Sequence, residues 1–400
     1  MEVNTSSNNI YNMESSSIQN QEHSFNVTYK SENNIQFHIC NDSTLKGLSE
    51  FPGKKYNRFF VIFDDNVEKI WGQKMLDQIR VHNKDVFVYK VPAIEDSKSV
   101  NYYLKLVNFL ESEKCGRFDL VIAIGGGIVL DLVSFTASIY MRGLPFYAVP
   151  TTIIGQVDAI TAGKTCLNTN NSKNLLGSFY YPLYVYNNIS ILETNSNYYH
   201  RQGFSEVFKY AVLGSKELLN EVNLYLGDKE QNSDRLFRII LGTIECRSNI
   251  RKKDPLASNL GHTFGHAIEK MTDYKVLHGD AISVGTVMAL YFAVEEGILR
   301  AELRDWIVDN MKRNGLNIYM QDNIDVENMV QLMLRDKKSS HNKINLVLVT
   351  DLAQHYHKED FYFYSTSPDR IKEFISSFME DYSYKTSNLG VFLRKDNIIY

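Results

Sequence analysis

The sequence predicts an α/β domain built on a parallel sheet, followed by a mostly α-helical domain. Two observations carry that reading. Short apolar runs of strand length alternate with helix-length segments through the first half, the mark of strands joined by crossover helices. Beyond about residue 190 the texture changes to long segments of helical periodicity with few strand-like runs. The expected division is a disordered extension over 1–24, an α/β domain over 25–187, a helical domain over 188–385 and a tail over 386–400.

The elements follow in order. "RFFVIFDD" (58–65) is a short apolar run ended by acidic residues, and "DVFVYKVPA" (85–93), "FDLVIAIGGG" (118–127) and "LPFYAVPTT" (144–152) are three more strands. "SVNYYLKLVNFLESEK" (99–114) and "IVLDLVSFTASIYM" (128–141) are the helices between them. The stretch "VPTTIIGQVDAITAGKTCLN" (149–168) reads as a Gly-containing loop. Further on, "YHRQGFSEVFKYAVLG", "SDRLFRIILGTIECRSNI", "DAISVGTVMALYFAVEEGIL" and "DVENMVQLMLRD" repeat at helical spacing, and no internal repeat is visible.

Composition narrows the function classes. A chain of 400 residues with 44% apolar content has ample length for a buried core. A net charge of -4 without a basic stripe argues against nucleic acid as a partner. Cys40, Cys115, Cys166 and Cys246 are scattered and form no CxxC pair, which fits reduced thiols in a cytoplasmic protein. The most hydrophobic stretch is broken by Gly125 to Gly127 and by Asp131, so no apolar run is long enough to cross a bilayer. The first 24 residues are about half Asn and Ser, with no basic-then-apolar signal pattern.

Several motifs carry chemistry. Three glycines end the "VIAIGGG" strand and open a helix, where a pyrophosphate can approach backbone N–H groups; a tight turn has the same signature. Asp64, at the end of the first strand, is either a ribose ligand or a helix cap. Asp158, Lys164, Lys173 and Asn174 crowd an otherwise apolar region. Glu206 and Lys209 are three apart in "FSEVFKY", whose aromatic neighbours imply a buried helix where a carboxylate needs a partner or a metal. "NLGHTFGHAIEKMTDYKVLHGD" holds His262, His266 and His278. The first two share a helix face, and His278, before Gly279, is expected in a turn. The three suit a metal, a proton shuttle or an anion site, against the plainer reading of two surface histidines and an unrelated third.

Taken in order, "GGGIVLD", "YMRGLPFYAVPTTIIGQVDAITAGKT", "KNLLGSFYYP", "SEVFKY", "GHTFGHAIE", "LHGD" and "RDKK" resemble the dehydroquinate synthase superfamily, the sugar phosphate cyclases. The resemblance implies NAD, a divalent metal (zinc, or cobalt), a homodimer and a small-molecule sugar phosphate substrate. It implies a metal held by Glu206, His262 and His278, which assigns the middle histidine to the phosphate. The implied cofactor contacts are Asp64, Asn66, Glu95, Lys98, Gly126, Gly127, Asp131, Thr151, Thr152, Lys173 and Thr194. The implied catalytic and substrate residues are Asp158, Lys164, Asn174, Lys209, Asn259, His266, Lys337 and Lys338, with Arg142 lent to the neighbouring subunit. The family's reaction oxidises a ring hydroxyl, eliminates phosphate from the acidified neighbour, returns the hydride and closes a carbocycle by intramolecular aldol addition.

The chain departs from that pattern at the substrate's carboxylate. Where dehydroquinate synthases carry an arginine four residues before the Asn of "NLGH", this chain has Pro255, and Arg247 replaces a lysine further upstream. "KTCLN" also stands where "KTGVN" is usual. Proline offers no donor to a carboxylate. The sequence therefore predicts a phosphate-eliminating lyase acting on a sugar phosphate without a carboxylate, sedoheptulose 7-phosphate ahead of glucose 6-phosphate. The alternatives are 3-dehydroquinate synthase proper, favoured by Asn259, His266 and "DKK", a metal-dependent NAD alcohol or glycerol dehydrogenase, and a non-catalytic binding protein.

Overall fold

The apolar strand runs are continuous because both faces of the sheet are covered. The computed structural model describes residues 34–53, 55–81, 85–169, 172–228, 232–254, 256–319, 324–335, 342–358 and 361–382. The expected extension over 1–24 and tail over 386–400, together with Pro255, Lys337 and Lys338, lie outside the described residues.

The first half runs β1 (Gln36–Cys40), α1 (Gly47–Glu50), β2 (Phe59–Asp64), α2 (Asp65–Arg80), β3 (Val86–Val91), α3 (Val100–Ser112), β4 (Leu120–Gly125), α4 (Gly127–Ile139) and β5 (Phe146–Pro150). A π-helical turn (Gly155–Ala159), the hairpin β6 (Lys164–Thr169) and β7 (Ser172–Phe179), and β8 (Tyr184–Asn188) complete it. Six strands form one parallel sheet in the order β1-β8-β5-β4-β2-β3. Successive side chains of β2 go to opposite faces: Phe60 and Ile62 pack in the core shared with α3 and α4, whereas Phe59, Val61 and Phe63 pack toward α1 and α2. The chain leaves β2 for β3 on one side and returns to β4 on the other, so the order reverses about β2. The carboxyl ends of β2 and β4 flank the resulting crevice, and Asp64 and Gly125–Gly127 sit there.

The second half is α5 (Ile189–Leu192), α6 (Asn197–Gly214), α7 (Lys216–Gly227), α8 (Ser233–Lys253), α9 (His262–Met271), α10 (His278–Glu295), α11 (Ala301–Arg313) and α12 (Val326–Leu334). Four short strands, β9 (Ile344–Leu346), β10 (Val349–Asp351), β11 (Gln354–His355) and β12 (Tyr364–Thr366), precede α13 (Pro368–Tyr382). One apolar core joins these helices, with Phe204, Phe208, Phe264, Val287 and Phe292 fully buried in it. The predicted α/β-then-helical architecture is the one observed. No helix among the described residues is long and apolar enough to cross a membrane.

The four predicted strands correspond to β2, β3, β4 and β5, and the structure adds elements the sequence reading lacked. β1 and β8 pair at one side of the sheet. The segment taken as a loop contains the π-helical turn and β6. That hairpin meets α4 through buried Leu167 and through Ser178 Oγ with Ser138 Oγ at 2.8 Å, and is tied across its own strands by Thr165 Oγ1 with Ser178 Oγ at 2.8 Å. Its strands therefore lack the apolar alternation by which strands are recognised.

Candidate active site

Three helices meet around a buried carboxylate. Glu206 of α6 is fully buried, with Oε1 3.6 Å from His262 Nε2 of α9 and 3.4 Å from His278 Nε2 of α10. Oε2 accepts a hydrogen bond from Lys209 Nζ at 2.5 Å, while Oε1 has no hydrogen-bond partner among the described residues. A buried acceptor in that state costs ~1–3 kcal/mol, which a ligand between the three groups recovers. The imidazoles are oriented from behind: His262 Nδ1 is 3.1 Å from the Leu260 carbonyl, and His278 Nδ1 is 3.3 Å from Glu269 Oε2. With Nδ1 held by these acceptors, each Nε2 faces Glu206, and its lone pair becomes available to a ligand once that nitrogen is deprotonated. One ligand atom from each of the three residues lies within 4.8 Å of the others. Two imidazoles and a carboxylate suit a divalent ion with open coordination positions, so the donor set fits a catalytic metal.

The electrostatics agree. Burial opposes charge on His278, yet Glu269 and Glu206 raise its pKa to about 10. Burial acts to raise the Glu206 pKa, but Lys209 outweighs it and the carboxyl is held below its usual range. Metal binding must therefore displace a proton from His278.

His278 is not in a turn, as the sequence reading expected. It is the first residue of α10, and the turn lies earlier, at Asp273 and Tyr274. The following Gly279 is demanded by close packing. A Cβ there would lie 2.4 Å from the Gln202 carbonyl oxygen of α6 and 2.6 Å from Gln202 Oε1. Gln202 Oε1 also accepts the Asp280 N–H at 3.1 Å, one turn from Glu206. Gly279→Ala keeps every ligand but forces α10 off α6. We expect metal affinity to fall by about tenfold or more, on the scale of a lost ligand-orienting contact. Metal titration of the folded variant checks this.

Next to this centre lies a cationic end. Asp158, on the π-helical turn, accepts at Oδ1 from Tyr210 OH (2.7 Å) and Arg247 Nε (2.9 Å). Burial pushes the Asp158 pKa up, but Arg247 and Lys209 hold it well below the usual carboxylate range. Arg251 follows Arg247 by one turn of α8, on the same helix face. Lys164 opens β6, and burial and Arg251 depress its pKa. Among the described residues no carboxylate lies within ion-pair distance of Lys164 or Arg251. The cations Lys164, Lys209, Arg247 and Arg251 thus outnumber Asp158 and Glu206, and the surplus favours an anionic ligand. Asn174 has a left-handed backbone (φ 54) and Oδ1 3.2 Å from Cys166 Sγ. Asn259 Nδ2 donates to the Leu256 carbonyl at 2.9 Å, and the His266 ring is 5.3 Å from that of His262.

Arg142 is apart from this group. It is exposed, in left-handed backbone (φ 67), in the turn entering β5 at the amino end of that strand.

Of the remaining predicted positions, Asp64, Gly126 and Gly127 sit at the crevice between β2 and β4. Asp64 Oδ1 accepts from the N–H groups of Asn66 (2.9 Å) and Val67 (3.3 Å), so it does serve as the cap of α2. Gly126 caps α4 with no side-chain hydrogen bond, and a Cβ at Gly127 would meet nothing within 4 Å. An open helix N-terminus of this kind fits a pyrophosphate. Lys98 Nζ and Asp131 Oδ2 pair at 2.5 Å. Glu95 Oε1 is 3.3 Å from Lys173 Nζ and accepts from Asn168 Nδ2 at 2.7 Å. Thr151 is buried, Thr152 Oγ1 accepts the Gly155 N–H at 3.1 Å, and Thr194 Oγ1 accepts from Trp71 Nε1 at 3.1 Å.

Sequence reasoning missed Glu269, Tyr210 and Arg251. For Glu269 a signal existed: His262, His266 and Glu269 recur at i, i+4 and i+7, one stripe of a helix. Arg251 shows the same i+4 relation to Arg247.

Comparison with known proteins places these features in a family. Residues 88–202 match 3-dehydroquinate synthase N-terminal, and residues 203–339 match 3-dehydroquinate synthase C-terminal. The 3-dehydroquinate synthase of Bacillus pumilus is 34% identical over 335 residues, covering 79% of this chain and 89% of that protein. Among solved structures, a 2-deoxy-scyllo-inosose synthase complexed with carbaglucose-6-phosphate, NAD+ and Co2+ superposes with a TM-score of 0.77 at 20% identity, covering 86% of this chain and 96% of that one. A 2-epi-5-epi-valiolone synthase from Streptomyces hygroscopicus with NAD+ and Zn2+ bound gives 0.77 at 19% identity, covering 89% and 99%.

Proposed function

The chain belongs to the 3-dehydroquinate synthase family, and from that premise we propose that it is an NAD- and metal-dependent sugar phosphate cyclase. One observation carries the reading: the Glu206–His262–His278 donor set adjoins a surplus of cations at Lys164 and Arg251. An alcohol or glycerol dehydrogenase needs the first and has no use for the second. When bound, the divalent ion supplies acidity to a substrate hydroxyl, and NAD accepts and returns a hydride.

The chain's own residues then have defined tasks. Glu206, His262 and His278 hold the ion, and Glu269 orients His278. Lys209 Nζ, fixed between Glu206 Oε2 and the Tyr210 ring 4.0 Å from its centroid, keeps Glu206 charged in a buried place. Lys164, Asn174, Asn259 and His266 surround the phosphate, with Lys337, Lys338 and a partner subunit's copy of Arg142 completing the grip in a homodimer. Asp64, Asn66, Glu95, Lys98, Gly126, Gly127, Asp131, Thr151, Thr152, Lys173 and Thr194 line the cofactor crevice. The unpaired cysteines support a reducing, cytoplasmic setting.

On the substrate, the geometry favours a carboxylated heptulosonate phosphate, the 3-dehydroquinate synthase reaction. Arg251 lies beside Lys164 with no ion-pair partner among the described residues, and a planar fork is the natural grip for a carboxylate. The second reading, a neutral sugar phosphate such as sedoheptulose 7-phosphate or glucose 6-phosphate, rests on Pro255 standing where an arginine is usual. The test is phosphate release from each of the three substrates with the NADH band monitored. We expect phosphate without net NADH. Stoichiometric NADH without phosphate overturns the cyclase reading in favour of a dehydrogenase.

A further inference from the structure

The turn between α9 and α10 is strained in a way the metal centre alone does not require. Asp273 (φ 48) and Tyr274 (φ 58) are consecutive non-glycine residues in left-handed backbone. Such strain persists only where surrounding contacts over-determine it. Here the contacts run in two directions from Tyr274. Its backbone N–H donates to the Glu269 carbonyl at 2.7 Å, and Glu269 Oε2 is the group 3.3 Å from His278 Nδ1. On the other side its hydroxyl oxygen accepts the Lys173 N–H at 3.4 Å. The Lys173 ammonium lies 4.3 Å from the centre of the Tyr274 ring and 3.3 Å from Glu95 Oε1. Glu95 is tied to Asn168 Nδ2 at 2.7 Å, and Asn168 Oδ1 accepts the Asn174 N–H at 3.0 Å. A single residue thus connects, through its backbone, the residue that orients a metal ligand and, through its side chain, the lysine assigned to the cofactor.

We propose that Tyr274 is a positioning residue that holds Lys173 in the cofactor crevice and ties it to Glu269, so that cofactor and metal affinities are coupled. The inference rests on the cofactor role given to Lys173 above. Ring and ammonium fix where the lysine's charge sits, and the short Tyr274–Glu269 link makes that placement sensitive to how His278 is held. By linkage, whatever zinc does to NADH affinity, NADH does equally to zinc affinity.

The experiment measures NADH dissociation constants by fluorescence on the purified full chain, with and without zinc, for wild type, Tyr274→Gly, Tyr274→Phe and Lys173→Ala. Glycine adopts positive φ freely, so Tyr274→Gly removes the tether without straining the turn and should keep the wild-type melting temperature. We expect it to weaken NADH binding by about three- to tenfold, the scale of a partly desolvated ammonium–ring contact, and to abolish the zinc dependence. Tyr274→Phe keeps the ring and stays within about twofold of wild type. Wild-type NADH affinity that ignores zinc overturns the coupling. If Lys173→Ala weakens NADH binding while Tyr274→Gly does not, the role of Tyr274 falls and the cofactor site stands. If Lys173→Ala has no effect, the cofactor assignment of Lys173 is overturned, and this inference with it.

Discussion

His278→Ala is expected to strip the divalent metal and to lower phosphate release by about three orders of magnitude. The removed imidazole supplies one of three donors, and those left, Glu206 Oε1 and His262 Nε2, then hold an ion at two points only. A metal's contribution to charge stabilisation is several kcal/mol, and each ~1.4 kcal/mol is a decade in rate. The deletion also leaves Glu269, which is nearly buried, without the partner that holds its pKa down against burial. Glu269→Gln is the graded companion. It keeps the ligand and weakens only its orientation, so metal affinity should drop by about 10- to 100-fold. Metal analysis of the two dialysed proteins, with phosphate release at saturating zinc, checks both. Full metal content and activity in His278→Ala would remove the ligand assignment.

Much of the sheet was legible because it is buried on both faces. All six residues of β2 and of β4 are buried, and a doubly covered strand must be apolar throughout. The helices of the second half were legible from their periodicity. What stayed hidden depends on contacts between distant segments. β1 is a short strand whose identity comes from pairing with β8, nearly 150 residues later in the chain. The β6–β7 hairpin meets α4 with one apolar residue, Leu167, and otherwise with small polar ones such as Ser178. At the site, Glu206 with Lys209 could be read from one helix, since three residues apart means one face. Glu269 was hidden because its role comes from a contact with His278 at the start of the next helix, which helix spacing alone does not contain. The start of α10 at His278 was misplaced because Gly279 looked like a turn glycine. Its role is to let α10 approach the Gln202 backbone, a contact between α6 and α10 that local sequence does not contain.

The fate of Arg247 changes the expectation about substrate. From sequence it replaced a lysine near the substrate carboxylate, but in the structure it is buried and bound to Asp158. That interaction occupies its Nε and holds the Asp158 carboxylate charged, so Arg247 serves Asp158 first. Arg251, one turn further along α8, has no carboxylate partner among the described residues and sits close enough to depress the Lys164 pKa. A half-buried guanidinium beside an ammonium raises the local potential, a cost that a bound carboxylate reverses. Arg251→Ala should therefore raise KM for the carboxylated heptulosonate phosphate by about 10- to 100-fold, since a hydrogen-bonded charge contact is worth ~1.5–3 kcal/mol. kcat should change little, because the carboxylate is bound equally before and during reaction. Arg251→Lys should restore part of the loss, as the charge remains and the fork does not. The neutral sugar phosphates provide the internal control, since turnover of sedoheptulose 7-phosphate by the same variants should be insensitive to residue 251. Two results would reverse the preference. An unchanged KM for the carboxylated substrate in Arg251→Ala would remove the guanidinium from its recognition. Efficient wild-type turnover of sedoheptulose 7-phosphate, with the carboxylated substrate refused, would show that the missing donor at Pro255 decides the matter and that Arg251 serves the phosphate.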